Sequence, residues 1–425
     1  MNKKLAARIE EIAVRLTNQL SVVETAGELN AVQEVHNIFM EMDYYKKNPQ
    51  DLQWVHVPND KLGRKSLIAR MRGGKGNSKK TIVMIGHIDT VGISDYGVLK
   101  DFANKPYELT EEFKKVASTL PPEARKDLES GKYLFGRGLF DMKTGDAIIM
   151  AVMEEIQKDI ENFEGNLIYA AVCDEESNSF GMLSVVPELV KIRDAEGLDY
   201  LALLDTDYMT SEYEGDENKY VYIGTVGKLM PSFYVVGKET HVGESFKGID
   251  ANQIASAITC RINLNADFCD VAEGEVSLPP ITLKQRDLKP EYSVQTVQYA
   301  NLFFNYATHT STPDEVLEKM IKAADEAFQN SIDNLNTQYE RFCKLANREY
   351  KKLPWKSRVI SYEELYNTVK AELGDELDAK IKELSDKMLK DESWTTLVPK
   401  SVAEFINKID GVNRLRDLAR TDKVT

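Results

Sequence analysis

Three features predict an α/β fold of two domains. The 425-residue chain carries short, almost wholly apolar runs at residues 81–85, 167–173 and 200–204; apolar residues at helical spacing fill the stretches between them; and the pattern changes after Gly224. Such runs are too short for helices and too uniform for strands with one wet face, so they read as buried parallel strands. Strand alternating with helix predicts a mostly parallel central sheet with flanking helices. The length also exceeds that at which a single core normally stops growing.

Residues 1–43 read as helical, with Leu5, Ile9, Ile12 and Leu16 on one stripe and Val32, Val35, Phe39 and Met40 on another. The run GGKGNSKK at residues 73–80 lacks phosphate-loop spacing and reads as a hairpin turn between two strands. A helix over about residues 143–158 has Ala147, Ile148, Ala151, Val152 and Ile156 on its apolar face, and a shorter one covers 182–193. Beyond Gly224, residues 228–236 and 294–308 read as strands, 250–265 and 313–349 as helices and 358–362 as a last strand. These make a smaller α+β domain over 226–362, inserted into a domain formed by 1–225 and 363–425. Residues 363–390 and 402–420 read as helices, and residues 423–425 as the start of a further strand.

Apolar residues make up 42% of the chain and charged ones 29%, the balance of an ordinary globular protein. A net charge of −15 argues against nucleic acid or an anionic membrane as partner. Glu10 and Glu11 interrupt what would be the apolar core of a signal peptide, and no stretch reaches the ~18 apolar residues of a membrane span, so the expected location is the cytoplasm. Cys173, Cys260, Cys269 and Cys343 form no CxxC pair and read as reduced thiols.

The chemistry gathers at the strand ends. Gly86-His87-Ile88-Asp89-Thr90 follows the first buried strand, Asp174-Glu175-Glu176 the second, and Asp205 and Asp207 the third. In a parallel sheet these C-terminal ends share one edge, where ligands bind. A fourth cluster, Gly136-Arg137-Gly138-Leu139-Phe140-Asp141-Met142-Lys143, sets Asp141 at the start of the following helix, facing the same edge. A lone strand-end His, a helix-start acid or a DEE run would each have an ordinary structural reading. Their convergence overturns it, because several carboxylates crowded together resist joint ionisation unless a divalent cation joins them. Imidazole mixed with carboxylates suits zinc first, then cobalt or manganese. A nucleotide-binding sheet would need a Gly-rich fingerprint where His87 and Asp89 stand.

The order and wording of these clusters, with Gly224-Thr225-Val226-Gly227 and Glu239-Thr240-His241-Val242-Gly243, resemble the metallopeptidase family of acetylornithine deacetylase, succinyl-diaminopimelate desuccinylase, aminoacylase and glutamate carboxypeptidase, across residues 5–265. The run from Leu204 to Met209 is most similar to the RocB-type arginine-utilisation subgroup. The resemblance implies a zinc-peptidase-like catalytic domain with a ferredoxin-like insert that serves as lid and dimerisation domain, making a homodimer. It implies two zinc ions per subunit, with His87 and Asp205 on one, Glu176 on the other and Asp141 bridging. Asp89 would orient His87, and Glu175 would be the general base that works on a shared water whose pKa falls to about 7. His241 would stabilise the oxyanion in a partner subunit's site. The implied reaction is hydrolysis of an amide, in a peptide or an N-acyl amino acid.

Two features depart from that pattern. Relatives carry Glu where Asp205 stands, and a fifth ligand, a late His, has no counterpart, since no His follows His309. His309 precedes Thr312 and Pro313, a helix-start context. The insert also lacks the Asn-x-x-Pro element and the Arg that hold a substrate carboxylate in relatives. The sequence therefore reads either as a chain without its last segment or as a non-catalytic, metal-binding or dimerising homologue.

Overall fold

Two amphipathic helices open the chain, α1 (Lys3–Thr17) and α2 (Gly27–Glu41), and each buries the stripe that its spacing predicts. Ile9, Ile12, Ala13 and Leu16 of α1 meet Ala31, Val32, Val35, Ile38 and Phe39 of α2 in one core. On the outer side Arg15 pairs with Glu34 and Glu41, tying the helices together. The structure, a computed structural model, describes residues 3–211, 213, 215–272 and 274–388. The helix read at 402–420 and the strand start at 423–425 lie outside the described residues.

After a short turn of helix, α3 (Asp43–Lys47), come β1 (Leu52–His56), β2 (Lys65–Arg72) and β3 (Lys80–His87); β4 (Asn166–Val172) and β5 (Asp199–Asp205) complete a five-stranded sheet in the order β1-β2-β4-β3-β5. The strand β3 runs parallel to β4 and β5, whereas β2 is antiparallel to β1 and β4. The architecture is mixed α/β. Alternate residues explain why β4 is apolar throughout: Leu167, Tyr169 and Ala171 enter the core under α1 and α2, while Ile168, Ala170 and Val172 enter the opposite one. That second core is closed by Val185, Leu189 and Ile192.

Residues 73–80 are not a hairpin turn, because β4 lies between β2 and β3. The run instead crosses the end of β4: Gly73 N–H donates to the Gly165 carbonyl at 2.9 Å, and Asn166 Nδ2 donates to the Ser78 carbonyl at 3.2 Å. A Cβ on Gly73 would stand 2.2 Å from the Phe163 carbonyl oxygen, so the crossing requires glycine there. The third apolar run, β5, is parallel as expected but exposed. It pairs with β3 alone among the described residues, and Leu201, Leu203 and Leu204 are each at least half exposed.

Between β3 and the next helix the chain makes an excursion through a kinked 3₁₀ segment (Ser94–Phe102), α4 (Pro106–Lys115) and α5 (Pro122–Ser130). Helix α6 (Thr144–Ile156) then packs beside α1, and α7 (Phe180–Glu196) covers the other face of the sheet.

A second compact unit begins at Val221. It contains β6 (Gly227–Leu229), β7 (Ser232–Val236), α8 (Ala251–Ile262), the short ribbon β8 (Val271–Ala272) and β9 (Glu275–Val276), β10 (Ile281–Asp287), β11 (Tyr299–Thr308) and α9 (Pro313–Leu345). The strand predicted over 228–236 is broken between β6 and β7, where Pro231 has no N–H to give a ladder. Strand β11 is central, paired with β10, β6 and β7, and Ala300, Leu302, Phe304 and Tyr306 on one of its faces pack against α8 and α9. Thr312 and Glu315 form a capping box with Pro313 in the first turn of α9.

Residues 358–361 form no strand, and the helix expected over 363–390 is two: α10 (Tyr362–Leu373) and α11 (Asp375–Met388), parted at Gly374 with φ 58°. Val369 and Leu377 pack with Tyr234 of β7.

Phe39 is wholly buried between Tyr45 and Tyr169. Phe39→Ala is expected to cost about 3–5 kcal/mol, read as a lower urea midpoint with an unchanged slope; a change below about 1 kcal/mol would contradict this packing.

Candidate metal centre

His87 ends β3 with 2% of its surface exposed. Its Nδ1 faces the Asp89 backbone oxygen at 3.2 Å, leaving Nε2 turned toward Asp141 Oδ1 at 3.0 Å and Glu175 Oε2 at 3.9 Å. The preceding Gly86 leaves room for this edge, since a Cβ there would stand 2.0 Å from Asp146 Oδ1. Asp141 lies in the irregular turn Leu139–Lys143 that leads into α6.

The acidic loop after β4 is held from both sides. Asp89, fully buried, accepts from the backbone N–H of Glu175 at 3.1 Å and of Glu176 at 3.0 Å, one on each carboxylate oxygen. Behind the loop, Asp174 adopts the left-handed conformation at φ 66°, which turns the chain out of the sheet. Its carboxylate accepts from Arg64 Nη1 at 2.5 Å and from the Phe180 backbone N–H at 3.1 Å, and its own N–H donates to Glu28 Oε2 at 2.9 Å. Arg64 also binds Glu28 and, through several N–H groups, Asp60. Glu28, Arg64 and Asp174 are all buried.

His87, Asp141 and Asp207 each offer a ligand atom, and these atoms lie within 4.8 Å of one another. Asp205, two residues earlier at the end of β5, accepts from the Asp207 N–H at 3.1 Å. Glu176 follows Glu175 on the same loop and lies outside the tight trio. Burial first, then the neighbouring acids, pushes the carboxyl groups of Glu175, Glu176 and Asp207 above their usual range. Burial works against protonation of His87, but Asp89, Asp146, Glu175 and Asp141 outweigh it and hold the imidazole above its ordinary value. Crowded acids that resist ionisation around one imidazole are a donor set that a divalent cation would satisfy. Imidazole with carboxylates fits zinc, cobalt or manganese.

Two further buried charges support this edge. Asp146 in the first turn of α6 accepts from the Tyr169 hydroxyl at 2.6 Å, and burial pushes it up to about 7. Lys143, 1% exposed and pushed down to about 8 chiefly by burial, donates to the Gln19 carbonyl and to Ser21 Oγ. Ser21 in turn donates to the Ile88 carbonyl, and its own carbonyl accepts from Thr90 N–H, so the link between α1 and α2 is stitched to the end of β3. Arg64, Glu28 and Asp146 escaped the sequence reading because none of them belongs to a motif, and Lys143, though it ends the Gly136–Lys143 cluster, had no role there. Asp207 was legible as one of the strand-end acids.

His241 belongs to the second unit. It is exposed, and its Nδ1 accepts from Gly243 N–H at 3.1 Å. The Ser311 hydroxyl donates to Asp270, as do the backbone N–H groups of Ser311, Thr310 and His309, so this segment serves a buried carboxylate held well below its usual range, first by the hydroxyl and then by the N–H groups.

The profile of peptidase family M20/M25/M40 matches residues 83–345, and the chain belongs to that family. Protein RocB of Bacillus subtilis (strain 168) is 36% identical over 359 residues, which are 84% of this chain and 63% of RocB. Protein YqjN of the same strain is 34% identical over 374 residues, covering 88% of this chain and 67% of that one. The chain thus spans about two thirds of the length of these relatives. Among solved structures, the di-peptidase Dug1p from Saccharomyces cerevisiae shares the fold, with a TM-score of 0.51 and 13% identity over 77% of this chain and 75% of that one.

Arg64→Met would leave three carboxylates without their cation and is expected to destabilise the protein by about 3–5 kcal/mol, measured by urea denaturation; a loss below about 1 kcal/mol would show the network to be dispensable. Glu28 is pushed up to about 7, chiefly by burial and then by the charge of Asp89, against the pull of Arg64. A carboxyl raised in the folded state contributes stability below its unfolded pKa, about 4.3, and that contribution is lost as pH rises through 7. Relative to Glu28→Gln, the wild-type chain should therefore lose stability between pH ~4.5 and ~7. Denaturation midpoints at pH 4, 5, 6, 7 and 8 that keep a constant difference would refute this.

Proposed function

We propose that this chain forms the catalytic core of a zinc-dependent hydrolase that cleaves an amide bond in a peptide or an N-acyl amino acid. One observation carries the reading: ligand atoms of His87, Asp141 and Asp207 lie within 4.8 Å of one another, with the Glu175 carboxylate 3.9 Å from the His87 imidazole. In this proposal His87, Asp141, Glu176 and Asp205 hold two zinc ions, and Asp207 stands within reach of the same centre. Cations so held supply Lewis acidity and make hydroxide available near neutral pH.

The chain's own residues do the rest. Glu175 takes a proton from the attacking water at its Oε2 and returns it to the leaving amine. Its raised pKa suits both acts, since a carboxylate with the usual low value is a poor acid toward an amine. Asp89 fixes the direction of the Glu175 and Glu176 backbone and faces the Nδ1 side of His87, with Oδ1 at 3.8 Å. His241 accepts at Nδ1, which puts its proton on Nε2, the tautomer that can donate to a developing oxyanion. In the proposed homodimer, joined through residues 226–362, that donor serves the partner subunit's site. The buried free thiols of Cys173 and Cys343 agree with a cytoplasmic location, and no helix among the described residues is long and apolar enough to cross a membrane.

Metal content measured by elemental analysis, beside release of amine from N-acyl amino acids and dipeptides, tests the proposal. Glu175→Gln is expected to lower turnover by at least ~10³-fold with metal content near that of the wild-type chain, and His87→Ala to lose metal. No turnover with zinc or cobalt added, together with one metal or none per chain, would favour a binding or dimerising homologue instead.

A further inference from the structure

The excursion between β3 and α6 leaves a cavity of about 500 Å³ open beside Phe140. That volume is within the range of small-molecule sites, about 300–1,000 Å³. Tyr96, Phe113, Leu134, Phe135, Leu139 and Phe140 form most of its wall. Phe113 and Phe135 meet edge to face at 5.3 Å, and Phe140, a residue 62% exposed, packs on Tyr208 at 4.9 Å. Phe140 is the residue before Asp141, and Tyr208 is the residue after Asp207, so this ring joins the cavity to the metal ligands.

From these features we propose that the cavity is a substrate subsite for a neutral, aryl-bearing group, the acyl portion of the amide or the side chain beside it. The inference rests on the hydrolase reading for its place in the reaction. Charge argues for a neutral occupant. The one carboxylate in the wall, Asp95, is already paired with Arg137, and the Arg137 guanidinium lies 5.2 Å from the Tyr96 ring centre. A charged group entering here would find no unpaired opposite charge among the lining residues. An aromatic wall favours another ring beyond the area that ring buries, through edge-to-face and offset-stacked contacts. Aromatic residues of the excursion therefore line a cavity whose wall includes the residue next to Asp141.

The test compares N-phenylacetyl with N-acetyl derivatives of one amino acid, and adds direct binding of 3-phenylpropionate and of acetate to the metal-loaded protein by calorimetry. The wild-type protein is expected to prefer the phenylacetyl substrate by about tenfold or more in kcat/KM, and to bind 3-phenylpropionate more tightly than acetate. Ala124 and Leu120 also line the cavity. Ala124→Trp, with Leu120→Trp as a second filling variant should the first not fold, is expected to cut the phenylacetyl rate constant about tenfold and leave the acetyl one within about twofold. Equal rate constants for the two substrates in the wild-type protein, or unchanged selectivity in both folded variants, would overturn the subsite. If neither substrate turns over, the hydrolase reading fails, and binding alone decides: 3-phenylpropionate binding that the filling variants abolish upholds the pocket, and no preference over acetate removes it.

Discussion

Asp89 is the residue on which the arrangement at the sheet edge depends. Each of its oxygens accepts one backbone N–H of the acidic loop, from Glu175 and from Glu176, and it lies two residues beyond His87, where β3 ends. Two strands that are parallel neighbours, β3 and β4, are thereby clamped at their C-terminal ends, and acids that would repel one another are kept at a common centre. Burial pushes Asp89 itself above the usual carboxylate range, while the N–H groups it accepts from pull it back. The clamp and the charge conflict come from the same carboxylate.

The rest of the first unit reads as support for that clamp. Arg64, just before β2, meets Glu28 of α2 and Asp174 of the acidic loop, so the approach to the sheet, the helix and the loop share one buried cation. Lys143 does similar work on the other side, tying the link between α1 and α2 to the strand that bears His87. Each buried cation faces more than one acceptor, which is how a site of crowded acids is kept folded. Membership of peptidase family M20/M25/M40 accords with such a centre.

The exposed flank of the sheet has a different character. Leu201, Leu203 and Leu204 of β5 are the kind of residues that strands buried on both faces carry, yet they are exposed among the described residues, as are Ile148 and Val152 on α6. Local composition records the environment a strand is suited to, and it cannot say what lies beside it. The same limit misread residues 73–80, since two apolar strands joined by a glycine-rich run look alike whether they pair with each other or leave space for β4.

By itself the sequence determined the layered α/β fold, because period and run length act over a few residues: the stripe on α1 and α2, the uniform apolarity of β3 and β4, and the Thr312–Pro313 start of α9 were all readable locally. Parallel strand ends also pointed to a shared edge, where ligand atoms of His87, Asp141 and Asp207 lie within 4.8 Å of one another and Glu175 is 3.9 Å from His87. Tertiary structure alone decided the order of the strands and the absence of a strand at 358–361. It decided which carboxylates draw closest to His87, with Asp207 in the tight group and Asp205 bonded to the Asp207 backbone. It also revealed Arg64, Glu28, Asp146 and Lys143 as buried supports. Those depend on contacts between residues far apart in the chain, where the cost of burying a charge is set by partners that no local pattern contains.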